Sequence, residues 1–395
     1  MFILFSSMKT LYYGILISLS GLLWGCGGGQ NVGESITRFQ TKAIGDLREN
    51  VFNITSERVG RKTFILSGEI DDRQLKTELI DFLVAQGFHI QDSVVVLPHD
   101  VFSSQAFIDL SVVTMRSSAS HVAPIVSQAL MGMPVRVLKQ DGGWAYIQTP
   151  DRYLGWCEKS ALWFTNPEER EEWTQAPRVM ITSRYSIIRD VETGDVLGDL
   201  VAGCLLEKTG QHNDKIFIKT PGGIEGYVKA SEATLFDRAH FPDTVDTRKL
   251  EETALSLIRT PYLWGGTSVS ALDCSGFTKT VYRHHGIMLA RDASLQAMYG
   301  EELPVDEGWE IFNTGDLLFF APGEGSDRIT HVGMYLDNSE FIHEAGKVKI
   351  NSFDSTRLNY SHFRAKTLVK ARRIDGQYGS EGIVHLMEHP WYVKQ

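Results

Sequence analysis

One cysteine in the last third of the chain stands where its side chain could act as a nucleophile. Cys274 opens a run that is compatible with a helix as far as Gly286, and Asp273 directly before it is a suitable helix cap. The exposed amide N–H groups and the dipole at a helix N-terminus favour the thiolate, which is the nucleophilic form of cysteine. We therefore expect Cys274 to attack an electrophilic carbon.

Two histidines could supply the base that a thiol nucleophile needs. The sequence alternates like a strand from His331, turns at Asp337-Asn338 and resumes as a strand that contains His343. Each histidine lies six residues from Asp337, so a hairpin centred there places both side chains on one face, opposite or nearly opposite each other. His331 would then accept the thiol proton and donate its other N–H to neutral His343.

The same three side chains also have the chemical types of zinc ligands. No further cysteine or histidine clusters with Cys274 except His284 and His285, which helical spacing directs elsewhere. The sequence therefore predicts a Cys-His-His relay, with no metal and no other cofactor.

The chain that must position these residues has 395 residues, which suggests two or three domains. Its 43% hydrophobic and 22% charged residues argue against disorder and against a polytopic membrane protein. A net charge of -10 argues against a nucleic-acid partner. The four cysteines are too scattered for a disulfide framework, and we expect Cys157 and Cys204 to be buried thiols.

A duplicated unit precedes the candidate nucleophile. An offset of 71 residues aligns its two copies at several positions, among them Ile147 with Ile218, Pro150 with Pro221 and Trp156 with Tyr227. Short alternating segments between glycine-rich turns are typical of a small β-barrel. The order of motifs from Met115 to Trp156, and more weakly from Ile188 to Tyr227, resembles bacterial SH3 domains.

The first residues have the pattern of an export signal. Lys9 precedes an apolar run from Leu11 to Leu23, which is shorter than the roughly 20 residues of a membrane-spanning helix. The run ends at Gly25-Cys26, which resembles the lipobox of bacterial lipoproteins, whose cysteine carries the lipid; a signal peptide with an incidental cysteine is the alternative. Either Met1 or Met8 could start the chain. We expect a lipoprotein anchored through Cys26 in the outer membrane and facing the periplasm.

Residues 27–108 carry a glycine tether and no motif that indicates a function. The segment Asp72 to Phe88 has helical spacing that ends at Gly87, and Ser93 to Leu97 has the pattern of a strand. These patterns predict a small α/β unit.

Six motifs in the last third occur in the order found in the NlpC/P60 cysteine peptidases, a family that this segment resembles. They are Tyr262-x-Trp264-Gly265-Gly266, Asp273-Cys274-Ser275-Gly276-Phe277, Arg291-Asp292-Ala293-Ser294-x-Gln296, Gly315 to Phe320, His331 to Tyr335 and Phe341-Ile342-His343. The resemblance covers Thr247 to Ile374 and implies a papain-like α+β fold. It also implies hydrolysis of the bond between γ-D-glutamate and a diamino acid in peptidoglycan stem peptides. By position, it implies that Cys274 is the nucleophile, His331 the base, His343 the third polar member and Tyr262 a neighbour of the oxyanion.

The order of two SH3-like modules before this domain resembles the γ-D-glutamyl-L-diamino acid endopeptidases that act on free muropeptides. In those enzymes the first module closes one end of the cleft and the free amine of L-alanine is held there. The resemblance implies that Asp292 binds this ammonium, that Ser275 binds the D-glutamate carboxylate and that Tyr153 lines the closed end. The expected substrate-binding residues also include Asp273, Trp264 and Arg291.

One position departs from the pattern of the related first modules. They tend to carry a glutamate where this chain has Pro124, in the segment that begins at His121. Proline cannot bind an amine, so the negative charge would come from Asp292 alone or from a residue that the sequence does not identify.

The expected organisation is therefore a multidomain chain with a signal at 1–26, the α/β unit to 108, SH3-like domains at 109–166 and 176–238, a catalytic domain at 245–376 and an extension at 377–395. We expect a cysteine endopeptidase that acts on free muropeptides with an N-terminal L-alanine during wall recycling. The alternatives are a murein-remodelling endopeptidase on the intact wall and a non-catalytic, wall-binding lipoprotein.

Overall fold

The computed structural model of the protein describes residues 31–393. The expected signal peptide and its lipidation site, Cys26, lie outside the described residues. Within the described part, no helix is both long and apolar enough to cross a membrane.

The N-terminal unit is a small sheet covered by two helices, as its pattern predicts. Sheet order is β1-β2-β3, with an antiparallel first pair and a parallel second pair joined through α2. The side chain of Asp72 caps α2 by accepting from the N–H groups of Gln74 and Leu75. The elements are α1 (Val32–Ala43), β1 (Phe52–Arg58), β2 (Thr63–Ile70), α2 (Arg73–Ala85) and β3 (His89–Val96).

Two seven-stranded barrels follow, and their sheet orders correspond strand for strand. The last five strands of each copy are offset by 71 residues, which is the period that the sequence predicts. The first barrel contains β4 (Gln105–Ile108), β5 (Val112–Arg116), β6 (Ile125–Leu130), β7 (Pro134–Asp141), β8 (Trp144–Gln148), β9 (Leu154–Glu158) and β10 (Leu162–Phe164). After α3 (Pro167–Gln175), the second contains β11 (Arg178–Ile181), β12 (Tyr185–Arg189), β13 (Val196–Val201), β14 (Leu205–His212), β15 (Lys215–Lys219), β16 (Glu225–Lys229) and β17 (Ala233–Leu235). Because β4 pairs with β7 and β10, the first barrel begins at Gln105 and not at the predicted boundary of 109.

The last domain packs a helix against a six-stranded antiparallel sheet of order β21-β26-β22-β23-β24-β25. Its elements are α4 (Thr247–Ser256), β18 (Thr267–Ser268), β19 (Ala271–Leu272), α5 (Cys274–Arg283), β20 (Ile287–Leu289), α6 (Ala293–Gln296), β21 (Glu301–Leu303), β22 (Leu317–Phe320), β23 (His331–Tyr335), β24 (Glu340–Glu344), β25 (Val348–Ser352), α7 (His362–Thr367), β26 (Leu368–Arg373) and β27 (Ile383–His385). Helix α5 lies across β23 and β24, and its apolar face shares a buried core with Val332 and Met334. Burial of that face fixes the end of α5 relative to the histidine strands.

The C-terminal extension is part of this domain. Its strand β27 pairs with β20, and Tyr392 is buried against Phe236 of the second barrel. Residues beyond 376 therefore help to hold the catalytic domain on the barrels.

The first barrel is fixed to the catalytic domain by buried polar contacts. The side-chain oxygen of Gln128 accepts from the N–H of Thr267 at 2.9 Å, and the Thr267 hydroxyl donates to the Gln128 carbonyl at 3.0 Å. A buried ion pair joins Lys279 of α5 to Asp151. These contacts hold strand β6 and the β8–β9 loop of the first barrel against α5 and the preceding strand β18.

Candidate active site

Cys274 is the first residue of α5, and a network of backbone contacts holds it there. The Asp273 side chain accepts from the Gly276 N–H at 2.7 Å and from the Gly265 N–H at 3.0 Å. Gly276 has no room for a side chain, since a Cβ there would lie 1.9 Å from the Gly266 carbonyl oxygen. Gly265 and Gly266 before the helix and Gly276 within it therefore allow the loop that contains the glycine pair to pass directly beside Cys274.

His331 and His343 lie on the same face of the sheet, but the hairpin is centred on Asn338 and not on Asp337. Met334 pairs with Ile342, so the residue directly opposite His343 is Gly333. His343 therefore lies diagonally across from His331. Asn338 and Ser339 both adopt positive φ angles, of 51° and 64°, which form the tight turn. The ring nitrogens Nε2 of His331 and Nδ1 of His343 are 2.8 Å apart.

Asn351 extends this chain and fixes the position of each proton. Its amide N–H donates to the Asn359 carbonyl at 2.8 Å, so its Oδ1 faces Nε2 of His343 at 2.9 Å. Because Oδ1 can only accept, the proton of His343 is on Nε2, and its Nδ1 accepts from Nε2–H of His331. The lone pair of His331 is then on Nδ1, which is free to take a proton from a thiol.

The resting thiol is neutral, which corrects the expectation of a favoured thiolate. Burial raises the pKa of Cys274 to about 11, and the negative charge of Asp273 adds to that effect. The amides of Val332 and Ser275 lower this pKa without outweighing burial. Burial also holds the pKa of His331 well below its usual value, so the pair rests as thiol and neutral imidazole.

A cavity of about 560 Å³ opens beside Cys274. The catalytic domain, the first barrel and the N-terminal unit all contribute to its wall. The lining residues that bear on chemistry are Cys274, His331, Tyr262, Trp264, Asp273, Ser275, Asp292, Tyr153, Arg48 and Arg328. Burial and the neighbouring Cys274 raise the pKa of Tyr262 to about 12, so its hydroxyl remains protonated at neutral pH and can donate a hydrogen bond.

Arg291 does not line this cavity, which corrects its expected role as a substrate-binding residue. Its guanidinium is fully buried and makes a two-point contact with Asp273, at 2.6 and 3.1 Å. It also donates to the Ser275 hydroxyl at 3.1 Å. Arg291 therefore positions Asp273 and Ser275, and both of these residues line the cavity.

Asp292 lies in the cavity, but its carboxylate already has a cationic partner. Tyr153 donates to its Oδ2 at 3.0 Å. Arg48 of the N-terminal unit donates to the same oxygen at 2.5 Å. Neither Arg48 nor Asn351 was identified from the sequence. Arg48 lies 244 residues from Asp292 in a segment without a motif. Asn351 lies on β25, which pairs with the strand that carries His343, and this pairing is the signal that could have indicated Asn351.

Pro124 takes no part in the cavity. Its carbonyl accepts from the Ser117 N–H at 3.0 Å in the hairpin loop, and the His121 ring packs against Trp144 at an interplanar angle of 59°, with ring centres 4.9 Å apart. Val126, two residues further on, does line the cavity. Among residues 31–393, no group of three His, Cys, Asp or Glu side chains is arranged to hold a metal ion.

Comparisons with known proteins agree with this architecture. The NlpC/P60 family model matches residues 259–372, and the bacterial dipeptidyl-peptidase SH3 domain matches residues 115–162. The gamma-D-glutamyl-L-lysine dipeptidyl-peptidase of Bacillus subtilis is 30% identical over 234 residues, which cover 55% of this chain and 72% of that protein. The chain belongs to the NlpC/P60 family.

Other members of the family extend the comparison. A protein of the same name from Bacillus cereus is 30% identical over 227 residues, which cover 55% of this chain and 66% of the relative. The crystal structure of an NlpC/P60 protein from Bacillus cereus superposes with a TM-score of 0.60 at 24% identity, covering 68% of this chain and 99% of that one. These matches confirm the predicted fold, with SH3-like barrels before an NlpC/P60 peptidase domain.

Proposed function

We propose that this NlpC/P60 peptidase is a cysteine endopeptidase that hydrolyses the γ-D-glutamyl–diamino acid bond of peptidoglycan stem peptides. The observation that carries the proposal is the hydrogen-bonded chain His331–His343–Asn351, which leaves Nδ1 of His331 unprotonated in the cavity that Cys274 lines. Two relatives are named for γ-D-glutamyl-L-lysine substrates, which supports this choice of bond.

The first half of the reaction forms a thioester. Nδ1 of His331 takes the Cys274 proton as the sulfur attacks the γ-carbonyl carbon, because both groups rest neutral. The carbonyl π pair moves to oxygen, where amides in the first turn of α5 and the Tyr262 hydroxyl can donate to the oxyanion. The imidazolium then protonates the leaving amine, the C–N bond breaks and the diamino acid departs.

The second half releases the shortened peptide. His331 removes a proton from water as the water oxygen attacks the thioester carbon. The new tetrahedral intermediate collapses with cleavage of the C–S bond, and the imidazolium returns its proton to sulfur. His343 and Asn351 act through His331, since they hold its ring and fix its tautomer.

The D-glutamate carboxylate is proposed to bind at Ser275. Ser275 lines the cavity, and its hydroxyl accepts from the buried Arg291 guanidinium at 3.1 Å. The Ser275 hydroxyl donates to Oδ1 of Asp273 at 3.2 Å, so its proton must turn from Asp273 to the substrate carboxylate when the peptide binds. Asp273 balances the charge of Arg291, so the carboxylate does not meet an unpaired buried cation.

We propose that the natural substrates are short, released stem peptides, as in wall recycling. Tyr153 of the first barrel and Arg48 of the N-terminal unit form the wall at one end of the cavity, and this wall favours a short peptide over a long strand of wall. Digestion of intact sacculi and of soluble stem peptides at equal concentrations of cleavable bonds tests this. We expect faster release of diamino acid from soluble peptides, whereas equal or faster release from sacculi would favour the wall-remodelling alternative.

The cellular location of the protein is proposed from its sequence. We propose that Cys26 carries lipid and anchors the protein at the outer membrane, facing the periplasm. Mass spectrometry of the mature N-terminus in the wild type and in Cys26→Ala tests this. A diacylglyceryl adduct that the substitution abolishes is expected, whereas an unmodified Cys26 in the mature chain would contradict it.

A further inference from the structure

The N-terminal unit inserts a cation into the cavity where the family resemblance places the substrate's ammonium. Arg48 lies on the loop between α1 and β1. Its Nη1 donates to Oδ2 of Asp292 at 2.5 Å, and its Nη2 donates to the Ser294 hydroxyl at 3.1 Å. This unit lies outside both segments that match family models.

The Arg48 side chain is held in this position by its own loop. Asp46 accepts from the Arg48 backbone N–H at 2.8 Å, from Nε at 2.9 Å and from Nη2 at 2.6 Å. The loop is in turn attached to the first barrel, since Leu154 donates to the Arg48 carbonyl and Gln148 donates to the Glu49 carbonyl, both at 2.9 Å. The guanidinium is therefore oriented before any substrate arrives.

These contacts occupy one oxygen of the carboxylate that would otherwise bind an amine. Oδ2 of Asp292 accepts from both Arg48 and Tyr153, and Oδ1 lies 3.9 Å from the guanidinium of Arg291. A substrate ammonium at Asp292 would compete with the bound guanidinium and would be repelled by its charge. The position thus disfavours the free N-terminal amine that the family resemblance implies.

Arg48 retains a donor for a neutral group. A guanidinium has five N–H groups, and within the described residues four of those of Arg48 are engaged, by Asp46, Asp292 and Ser294. The remaining one is on Nη1. The side chain is 40% exposed, so a group attached to the substrate's amino end has access to solvent there.

We propose that Arg48 determines substrate specificity by filling the cation position at Asp292, so that the enzyme takes stem peptides whose amino end is an amide. This inference rests on the proposed function and specifies its substrate. The carbonyl of an N-acyl group on L-alanine accepts from the remaining Nη1–H, and the uncharged amide avoids repulsion by the guanidinium. Short stem peptides that carry an acyl group on the L-alanine nitrogen are then the substrates, and peptides with a free L-alanine amine are poor ones.

The test compares two peptides, L-Ala-γ-D-Glu-diaminopimelate and its N-acetyl form, with the full-length protein. The measured quantity is the ratio of kcat/KM for the acetylated peptide to that for the free amine. We expect this ratio to be at least one in the wild type and to fall at least tenfold in Arg48→Gln, which frees Asp292. Arg48→Lys keeps the charge, so its ratio should stay within threefold of the wild type.

The control is Arg61→Gln, which removes an exposed positive charge at the β1–β2 turn of the same unit. It should leave the ratio unchanged. Thermal unfolding of each variant checks that the fold is retained, and the ratio is insensitive to the fraction of active enzyme.

Two results would overturn the proposed role of Arg48 in specificity and leave the proposed function intact. One is a wild type that prefers the free amine tenfold or more, and the other is cleavage of both peptides with a ratio that Arg48→Gln does not change. Cleavage of neither peptide by the wild type would instead overturn the proposed function, and the specificity with it.

Discussion

Oδ1 of Asn351 lies 2.9 Å from Nε2 of His343, and this contact determines which nitrogen of each histidine carries a proton. A residue on β25 thereby sets the tautomer of His331, two hydrogen bonds away. The relay thus has four members, Cys274, His331, His343 and Asn351.

Replacement of Asn351 should slow the chemical step without removing the nucleophile. In Asn351→Ala, His343 loses the acceptor that fixes its proton, and we expect kcat to fall about 10- to 100-fold, within the range of general acid–base catalysis. Asn351→Asp retains an acceptor and should recover most of the rate. Steady-state kinetics test this, and loss confined to KM in the alanine variant would argue against an orienting role.

The pH dependence of activity should reflect the buried base. His331 must be neutral to accept the thiol proton, and burial holds its pKa well below the usual value. We therefore expect kcat/KM to persist as the pH falls from about 7.5 to 5.5, where a histidine of ordinary pKa near 6.5 would become protonated and lose activity.

The Cys274 thiol should lose its proton only at high pH. The pKa of Cys274 is raised to about 11, so the rate of alkylation by iodoacetamide should still increase above pH 9. Measurement of alkylation against pH, with Cys274→Ala as the blank, tests this. A plateau below about pH 8 would instead indicate a preformed thiolate–imidazolium pair.

Gly265 should be essential for docking of the first barrel. Its φ is +81°, and a Cβ there would lie 2.7 Å from Cγ2 and 2.9 Å from the carbonyl oxygen of Ile125. Gly265→Ala should cost about 1–2 kcal/mol for the left-handed backbone and a further 1–3 kcal/mol for the clash.

A second glycine separates these two costs. Gly376 has a φ of +75° with nothing within 4 Å of a Cβ, so Gly376→Ala carries the backbone cost alone. Thermal unfolding should show a larger decrease in the midpoint for Gly265→Ala. Equal decreases would mean that contact with Ile125 contributes nothing.

Arg328 should favour a diamino acid that carries a second carboxylate. It is exposed, lines the cavity and lies on the segment that leads into His331, which protonates the leaving amine. Arg328→Ala should lower kcat/KM for a diaminopimelate peptide about two- to fivefold, as expected for an exposed charge pair, and leave a lysine peptide unchanged. Arg248→Ala, an exposed arginine on α4, is the control; equal losses on both peptides would contradict this role.

The sequence predicts the local parts of the site better than the distant ones. The Asp273 cap, the helix from Cys274 and the shared face of His331 and His343 follow from spacing within short segments. The hairpin centre is shifted by one residue because Asn338 and Ser339 both adopt the left-handed conformation, which residue type alone does not specify.

Other features depend on packing between distant segments. Arg48 meets Asp292 only because its loop attaches to Leu154 of the first barrel. The helix start predicts a lowered thiol pKa, whereas burial by the surrounding walls raises it. No periodicity or motif encodes either effect.

The central claim is that the Cys274 sulfur cleaves the γ-D-glutamyl–diamino acid bond. The most direct measurement follows release of diaminopimelate, by mass spectrometry, from the free and the N-acetylated stem peptide by the wild type and by Cys274→Ala. We expect release from at least one peptide by the wild type, with a covalent peptidyl adduct on Cys274 after acid quench, and none by the variant of unchanged fold. Equal release by both proteins, or cleavage at a different bond, would contradict the account.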